Sequence, residues 1–392
     1  MFLSLCILGR QSELGLAELE SLYGAEAVQP VGNMAALLDK DPAEVAFSFL
    51  GGTVKFCKLL TELDTVSWPD IQKFLVKAIP EHAKMMPNGK LRLGLSVYGL
   101  NVKPNQITGT ALEVKKTLKK DRPVRIVPNK EASLNSAQVL HNQLTSELGW
   151  ELVLVRNGNK TIVAQTIAEQ DIEAYAKRDH GRPKRDAKVG MLPPKLAQII
   201  VNLATGEALA PGCGPTHPLD KVVLDPFCGT GVVLQEALLM GYKALGTDLE
   251  PRMIEYSKDN LDWLGLSSQL DVGDATDYRW PDFNTVACEA YLGRPFTSTP
   301  DSAILQQTIQ EVNIITKKFL QNLASQTQPG FRACIAMPVW YFKYQIKHLP
   351  VLDQLTDMGY NPLSFVHAGG NDLVYHREGQ IVGRELVTLI RK

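Results

Sequence analysis

The stretch from Lys221 to Leu264, KVVLDPFCGTGVVLQEALLMGYKALGTDLEPRMIEYSKDNLDWL, constrains this chain more than any other. Val222-Val223-Leu224 reads as a buried strand. It stops at Asp225-Pro226, opens into Phe227-Cys228-Gly229-Thr230-Gly231 and leads to an apolar helical pattern from Val232 to Met240. Gly229 and Gly231 let the backbone approach a ligand with no Cβ in the way, and the helix beginning there offers unpaired N–H groups at a positive dipole end. A second strand, Lys243 to Thr247, delivers Asp248 to the place where a doubly wound fold holds a ribose. The unit is built for an adenosine-type cofactor.

Departures from the dinucleotide pattern narrow the cofactor. A pyrophosphate site wants three glycines as G-x-G-x-x-G, whereas this turn has two glycines and an acid at its head. That acid would repel a pyrophosphate but accept hydrogen bonds from an ammonium group. S-adenosylmethionine has the ammonium and lacks the phosphate. Leu270 to Ala275 reads as a third strand ending at Asp274, placed to accept a hydrogen bond from an adenine amino group. The bland alternative is an ordinary βαβαβ unit whose strand-end acids serve turn chemistry.

Together, DPFCGTG, GTDLEPRM and the preceding GMLPPKLAQIIVNLA (Gly190 to Ala204) resemble the tRNA guanosine N2-methyltransferases that modify position 10. That family joins a THUMP RNA-binding module to a Rossmann-like methyltransferase. MFLSLCILGRQSELGLAELESLYG at the start and GQIVGRELVTLIRK at the end extend the resemblance over nearly the whole chain. It implies an α/β fold: an α+β amino-terminal domain over 1–65, a THUMP-like RNA-binding domain over 66–170, a basic linker over 171–190, and a Rossmann-like methyltransferase domain with a mixed seven-stranded sheet over 191–392. The implied cofactor is S-adenosyl-L-methionine, held by Pro194, Asp225, Pro226, Phe227, Gly229, Thr230, Gly231, Asp248, Leu249, Asp274 and Ala275.

Methylating an exocyclic amine needs an oxygen to accept the amine's hydrogens and an aromatic platform for the base. The resembled family supplies both after its fourth strand as D-P-P-Y-G. Here that segment is Glu289-Ala290-Tyr291-Leu292-Gly293-Arg294. The acid is one methylene longer, both prolines are gone and the aromatic has moved by one position. The implied catalytic set is Glu289, Tyr291, Leu292, Arg294 and Phe296, with either Tyr291 or Phe296 stacking on the base. Three readings stay open: a tRNA guanine-N2-methyltransferase, a tRNA-binding relative without the reaction, and an amino-methyltransferase of DNA or another nucleotide. His217, Tyr375 and His376 are further pocket candidates, as well explained by a surface or hairpin position.

A formal charge of −1 gives no global case for nucleic acid, so any basic surface must be local. Between Lys103 and Lys130 lie six lysines and two arginines against Glu113 and Asp121. Lys115, Lys116, Lys119 and Lys120 share a helical face, followed by Arg122 and Arg125. Such residues suit salt-sensitive phosphate contacts, though a solvated face would explain the lysines too. A second basic run, YAKRDHGRPKRDAKVG (Tyr175 to Gly190), contains Arg178, Arg182, Lys184 and Arg185, with Asp179 and Pro183 completing the family's R-D-x-x-R-P element; the resemblance implies that it lines the cofactor side and meets RNA, the alternative being a plain hinge kept soluble by charge.

With 392 residues and 45% hydrophobic content the chain can build two or three cores. Its six cysteines show no C-x-x-C and no histidine at ligand spacing, so the sequence suggests neither metal nor disulfides and reads them as core thiols of a cytoplasmic protein. The first apolar run is too short for a membrane span. Glu13, Glu18 and Glu20 read as the solvated face of a helix over Leu14 to Tyr23. Helices are also expected over Pro42 to Leu50 and Tyr344 to Met358. The resemblance implies tRNA as partner, with a small activating protein as a further partner and a monomer favoured.

Overall fold

The computed structural model describes residues 2–186, 191–206, 219–296, 298–343, 345–369 and 373–392. In chain order the elements are β1 (Ser4–Leu8), α1 (Ser12–Tyr23), β2 (Val28–Val31), β3 (Ala35–Leu38), β4 (Thr53–Leu63), α2 (Trp68–Ala83), β5 (Leu91–Tyr98), α3 (Pro104–Leu118), β6 (Val124–Ile126), α4 (Ser136–His141), β7 (Gly149–Asn157) and β8 (Lys160–Glu169). They continue with α5 (Ile172–His180), α6 (Pro194–Thr205), β9 (Leu219–Asp225), α7 (Val232–Leu239), β10 (Tyr242–Asp248), α8 (Pro251–Trp263), β11 (Gln269–Val272) and β12 (Thr285–Glu289). Last come α9 (Ser302–Gln326), β13 (Arg332–Phe342), β14 (Gln345–Lys347), β15 (Tyr360–Pro362), β16 (Val374–Tyr375) and β17 (Val382–Arg391). Two compact units form: Met1–Ser12 with Glu26–Ser48 and Thr53–Glu173, and Glu13–Ala25 with Phe49–Gly52 and Ala174–Lys392.

In the first unit one eight-stranded sheet runs β2-β3-β1-β4-β8-β7-β5-β6, so strands from either side of residue 65 share it. Helices α2 and α3 lay Ile71, Leu75, Ile107, Ala111 and Val114 on Leu93, Leu95 and Leu152. A buried lysine inside this unit is fully engaged: Lys55 donates to Leu134 O at 2.8 Å and pairs with buried Glu151, which also accepts from Thr166 Oγ1 at 2.6 Å.

In the second unit the main path of the sheet is β11-β10-β9-β12-β13-β17-β15, with β14 and β16 as short additions beside β13 and β17. Strands β9 to β13 are parallel along this path and β17 runs antiparallel to β13. The mixed sheet expected of residues 191–392 is present. Helix α6, started by Pro194 where a missing N–H costs nothing, buries Leu196, Ala197, Ile200 and Leu203 with Val223, Val233 and Ala237. Helix α9 covers the sheet with Ile309, Val312, Phe319 and Leu323.

Several expectations are corrected. Helix Tyr344 to Met358 is replaced by β14 and a 3₁₀ turn at Pro350–Gln354, because Pro350 disfavours helical backbone before it and removes an N–H. Residues 42–50 form two short 3₁₀ turns, Pro42–Glu44 and Phe47–Phe49. The basic linker begins as helix α5. Its last residues and His217 lie outside the described residues.

The solvated-face reading of α1 also fails. Glu18 is fully buried: its Oε1 accepts from Gly51 N at 2.9 Å and Asn202 Nδ2 at 2.7 Å, and Oε2 from Gly52 N at 2.8 Å. Glu20 accepts from Val366 N at 2.7 Å and His367 N at 2.9 Å. A buried carboxylate is tolerated where N–H donors replace water, and these donors come from residues the helical spacing does not show. Five cysteines, Cys6, Cys57, Cys228, Cys288 and Cys334, are buried thiols. Among the described residues no helix is long and apolar enough to cross a membrane.

Candidate active site

The glycine turn follows β9 directly. Gly229 and Gly231 take φ of 51° and 85°, the left-handed region that costs a residue with a Cβ about 1–2 kcal/mol. Their surroundings separate their roles. A Cβ on Gly229 would meet only Phe227 O at 3.9 Å, so open space lies above it, whereas one on Gly231 would press on Ser257 at 3.0–3.3 Å. Gly229 leaves room for a ligand; Gly231 lets α8 close on the turn. Gly231→Ala should therefore lower stability by about 2 kcal/mol, measured by urea unfolding, through both strain and overpacking.

Helix α8 holds the turn in place. Ser257 Oγ donates to Gly229 O at 2.8 Å and Asn260 Nδ2 donates to Thr230 O at 2.8 Å. The same Asn260 side chain exchanges hydrogen bonds with the backbone of Lys184, at 2.9 and 3.0 Å. These residues were missed in the sequence. Their signal is two small polar side chains three apart on the buried face of a helix.

Acids converge where β9, β10 and β12 end. Asp225 is buried and accepts from Phe227 N at 3.1 Å. Burial raises its pKa well above the usual carboxylate range, and the neighbouring negative charges of Asp248 and Glu289 push the same way. Asp248 accepts from Gly229 N and Glu250 N, each at 2.9 Å, and burial raises its pKa against those two donors. Each carboxylate oxygen keeps a further lone pair for a ligand. Asp274 falls just past β11 because Gly273 ends the strand, and its Oδ1 accepts from Thr276 N at 2.9 Å. Ala275 is buried in the core beside Val286 and Trp280.

Apolar side chains stand exposed along the same edge. Leu249 is 66% exposed after β10 and Val272, which the sequence did not single out, is 45% exposed at the end of β11. An adenine ring would find two apolar walls there, between acids suited to its ribose and amino group. The residues present therefore fit an adenosine cofactor carrying an ammonium. Pro194 is buried at the start of α6, and Phe227, in the turn itself, lies edge-on to Phe319 at 5.0 Å.

Glu289 ends β12 and pairs with Arg384 of β17, a partner 95 residues away. Burial raises its pKa, and the Arg384 guanidinium opposes that shift. The loop after it lacks the family's prolines but is packed down. Ala290 N donates to Ala336 O at 3.0 Å, and a Cβ on Gly293 would strike Thr308 Cγ2 of α9 at 2.7 Å. Tyr291 is 44% exposed, Arg294 is exposed, Leu292 is half-buried, and Phe296 packs against the α9 core. Beyond them Tyr341 and His376 stack at 3.7 Å, and Arg377 Nε donates to Tyr375 Oη at 2.8 Å.

The basic residues divide. Lys116, Lys119, Lys120 and Arg125 are exposed and Lys115 is half-buried. Arg122 is turned inward, donating to Ala83 O at 2.8 Å at the end of α2. An open concavity of about 660 Å³ at the start of α3, lined by Lys103, Asn105, Thr108 and Asn129 among others, includes none of these residues and none of the carboxylates. In the second unit Arg178 pairs with buried Glu236 at 2.8 Å and Arg182 is buried with its Nη2 at 3.2 Å from Met191 Sδ. They hold the segment in place instead of standing out as RNA contacts. Lys184 pairs with Asp259 at 3.3 Å, and Arg185 is exposed.

A family model described as a DNA methylase matches residues 105–259, and one described as a methyltransferase domain matches residues 223–313. The first stops before Glu289 and so says nothing of the acceptor loop. Over 150 residues the chain is 29% identical to the tRNA (guanine(10)-N2)-dimethyltransferase of Methanothermobacter thermautotrophicus, covering 38% of this chain and 39% of that protein. Over 106 residues it is 36% identical to the enzyme of the same name from Pyrococcus abyssi, covering 27% and 26%. The matched segments thus span less than two fifths of those relatives' own lengths. The crystal structure of TrmN from Thermus thermophilus superposes with a TM-score of 0.53 at 15% identity, over 100% of this chain and 99% of that one. The carboxyl-terminal unit is therefore a Rossmann-like methyltransferase fold, with homologues named tRNA (guanine(10)-N2)-dimethyltransferase.

Proposed function

We propose that the chain is a cytoplasmic S-adenosylmethionine-dependent tRNA methyltransferase acting on the exocyclic N2 of a guanosine, position 10 by similarity to the named relatives. One observation carries the cofactor: Asp225, Asp248 and Glu289 crowd together at the ends of adjacent strands around an open glycine turn. A cluster of that sign repels a pyrophosphate and suits a ligand bearing ammonium and sulfonium charges. Asp225 would hold the ammonium, Asp248 the ribose, Leu249 and Val272 the adenine faces, and Asp274 its amino group. When bound, S-adenosylmethionine supplies an electrophilic methyl group.

This chain's own residues do the rest. Glu289 accepts hydrogen bonds from the amine so that the nitrogen lone pair turns toward the methyl, and it takes up the proton the nitrogen sheds. Tyr291 offers an exposed ring on which the base stacks. The exposed lysines of α3 and the following turn, with Arg125, give the first unit a phosphate-binding surface for tRNA.

Glu289→Ala is expected to lower the rate of methyl transfer to tRNA by about a thousandfold, with a much smaller loss of cofactor affinity. Single-turnover transfer alongside cofactor titration checks this. An unchanged rate would remove Glu289 from the reaction.

A further inference from the structure

We propose that Arg384 is a positioning residue that keeps Glu289 a carboxylate, and that the pair thereby selects an acceptor edge with two adjacent N–H donors. The inference rests on the proposed methyltransferase reading and deepens it.

Glu289 pairs with Ala336 in β13, and Arg384 lies across β13 opposite Pro338, so the guanidinium reaches Glu289 past the intervening strand. Arg384 is itself buried. Among the described residues no second cation pairs with Glu289. Strand β9 contributes Asp225, β13 presents Ala336, and α9 packs Thr308 and Val312 on the following loop. Burial favours the protonated acid, and the charge and hydrogen bond of Arg384 oppose it.

The protonation state decides which base edge fits. A carboxylic acid donates one hydrogen bond and accepts another, and so suits an amine beside a ring lone pair, the edge of adenine or cytosine. A carboxylate accepts only. It takes two parallel N–H groups, the N1–H and N2–H of guanine, and repels a ring lone pair. Leaving a buried polar group unpaired in this way is what gives strong discrimination between otherwise similar substrates. With Arg384 in place, the altered acceptor loop reads guanine.

The test compares wild type with Arg384→Met, Arg384→Lys and the neutral pair Glu289→Gln/Arg384→Met. Methyl transfer to bulk tRNA is followed across pH, and the Glu289 carboxyl is followed by infrared difference spectroscopy against Glu289→Gln. Arg384→Met should lose about a hundredfold in kcat at neutral pH with a smaller change in KM. Its activity should recover as pH rises, and a protonated-carboxyl band absent from wild type should appear. Arg384→Lys should restore the wild-type pH profile. The neutral pair should melt near wild type, showing that lost activity is not lost folding. A wild-type pH profile and no new carboxyl band in Arg384→Met would overturn the assignment. If wild type transfers no methyl to tRNA, the methyltransferase reading fails, and the infrared band still decides the Glu289–Arg384 part by itself.

Discussion

Glu18→Ala is expected to destabilise the protein by about 4 kcal/mol. The substitution leaves Gly51 N–H, Gly52 N–H and the Asn202 amide without the carboxylate that accepts from all three. Each buried donor left unmade costs about 1–3 kcal/mol, partly recovered because a buried charge is also removed. Relaxation is limited, since a Cβ on Gly51 would overlap the carbonyl oxygen of Lys195 and Gly52 lies against Gly15. Urea unfolding of the two proteins checks the number; a difference below about 1 kcal/mol would mean that water replaces the carboxylate.

The same residue sets a pH dependence. Burial raises the Glu18 pKa from 4.5 to about 7 against its three donors. Between those two values the folded state holds a proton that the unfolded state has lost. Its contribution is therefore fully present below about pH 4.5 and is lost as pH rises through about 7. Glu18→Ala should flatten the fall in stability across that window.

Asp225→Asn is expected to weaken S-adenosylmethionine binding by about a hundredfold, roughly 2.7 kcal/mol. Asparagine keeps the shape and can still accept from Phe227 N, so the fold should survive. What it loses is the negative charge facing an ammonium. Because burial, Asp248 and Glu289 raise the Asp225 pKa in the absence of that cation, cofactor binding to wild type should release a proton and strengthen as pH rises. The variant should lose both behaviours. Calorimetry in buffers of different ionisation enthalpy separates them; a variant that binds as tightly as wild type would displace Asp225 from the site.

Much of the cofactor half was legible because its determinants are local. Gly229 and Gly231 announce positive φ, and Asp225 and Asp248 stand at strand ends fixed by short apolar runs. Ser257 and Asn260 were overlooked because their partners are backbone oxygens of the turn, 28 and 30 residues away. Arg384 could not be seen at all: nothing near Glu289 in sequence points to a strand that returns from the end of the chain.

Helical spacing misled in two instructive places, for opposite reasons. In α1 it was right about the helix and wrong about its exposed face, since backbone N–H groups of Gly51 and Gly52 hold a buried carboxyl by replacing part of the solvation that water would give it. Between residues 344 and 358 it overrode Pro350, which should have broken the pattern. Arg178 and Arg182 were read as RNA contacts of a basic linker, yet Glu236 and the Met191 sulfur draw them inward.

The central claim is that this chain transfers a methyl group to tRNA. Labelled S-adenosylmethionine incubated with bulk tRNA and the wild-type protein, followed by digestion and nucleoside separation, tests it most directly. The account predicts label in N2-methylguanosine; a protein that binds both cofactor and tRNA yet leaves every nucleoside unlabelled, or labels adenosine or cytidine instead, would contradict it.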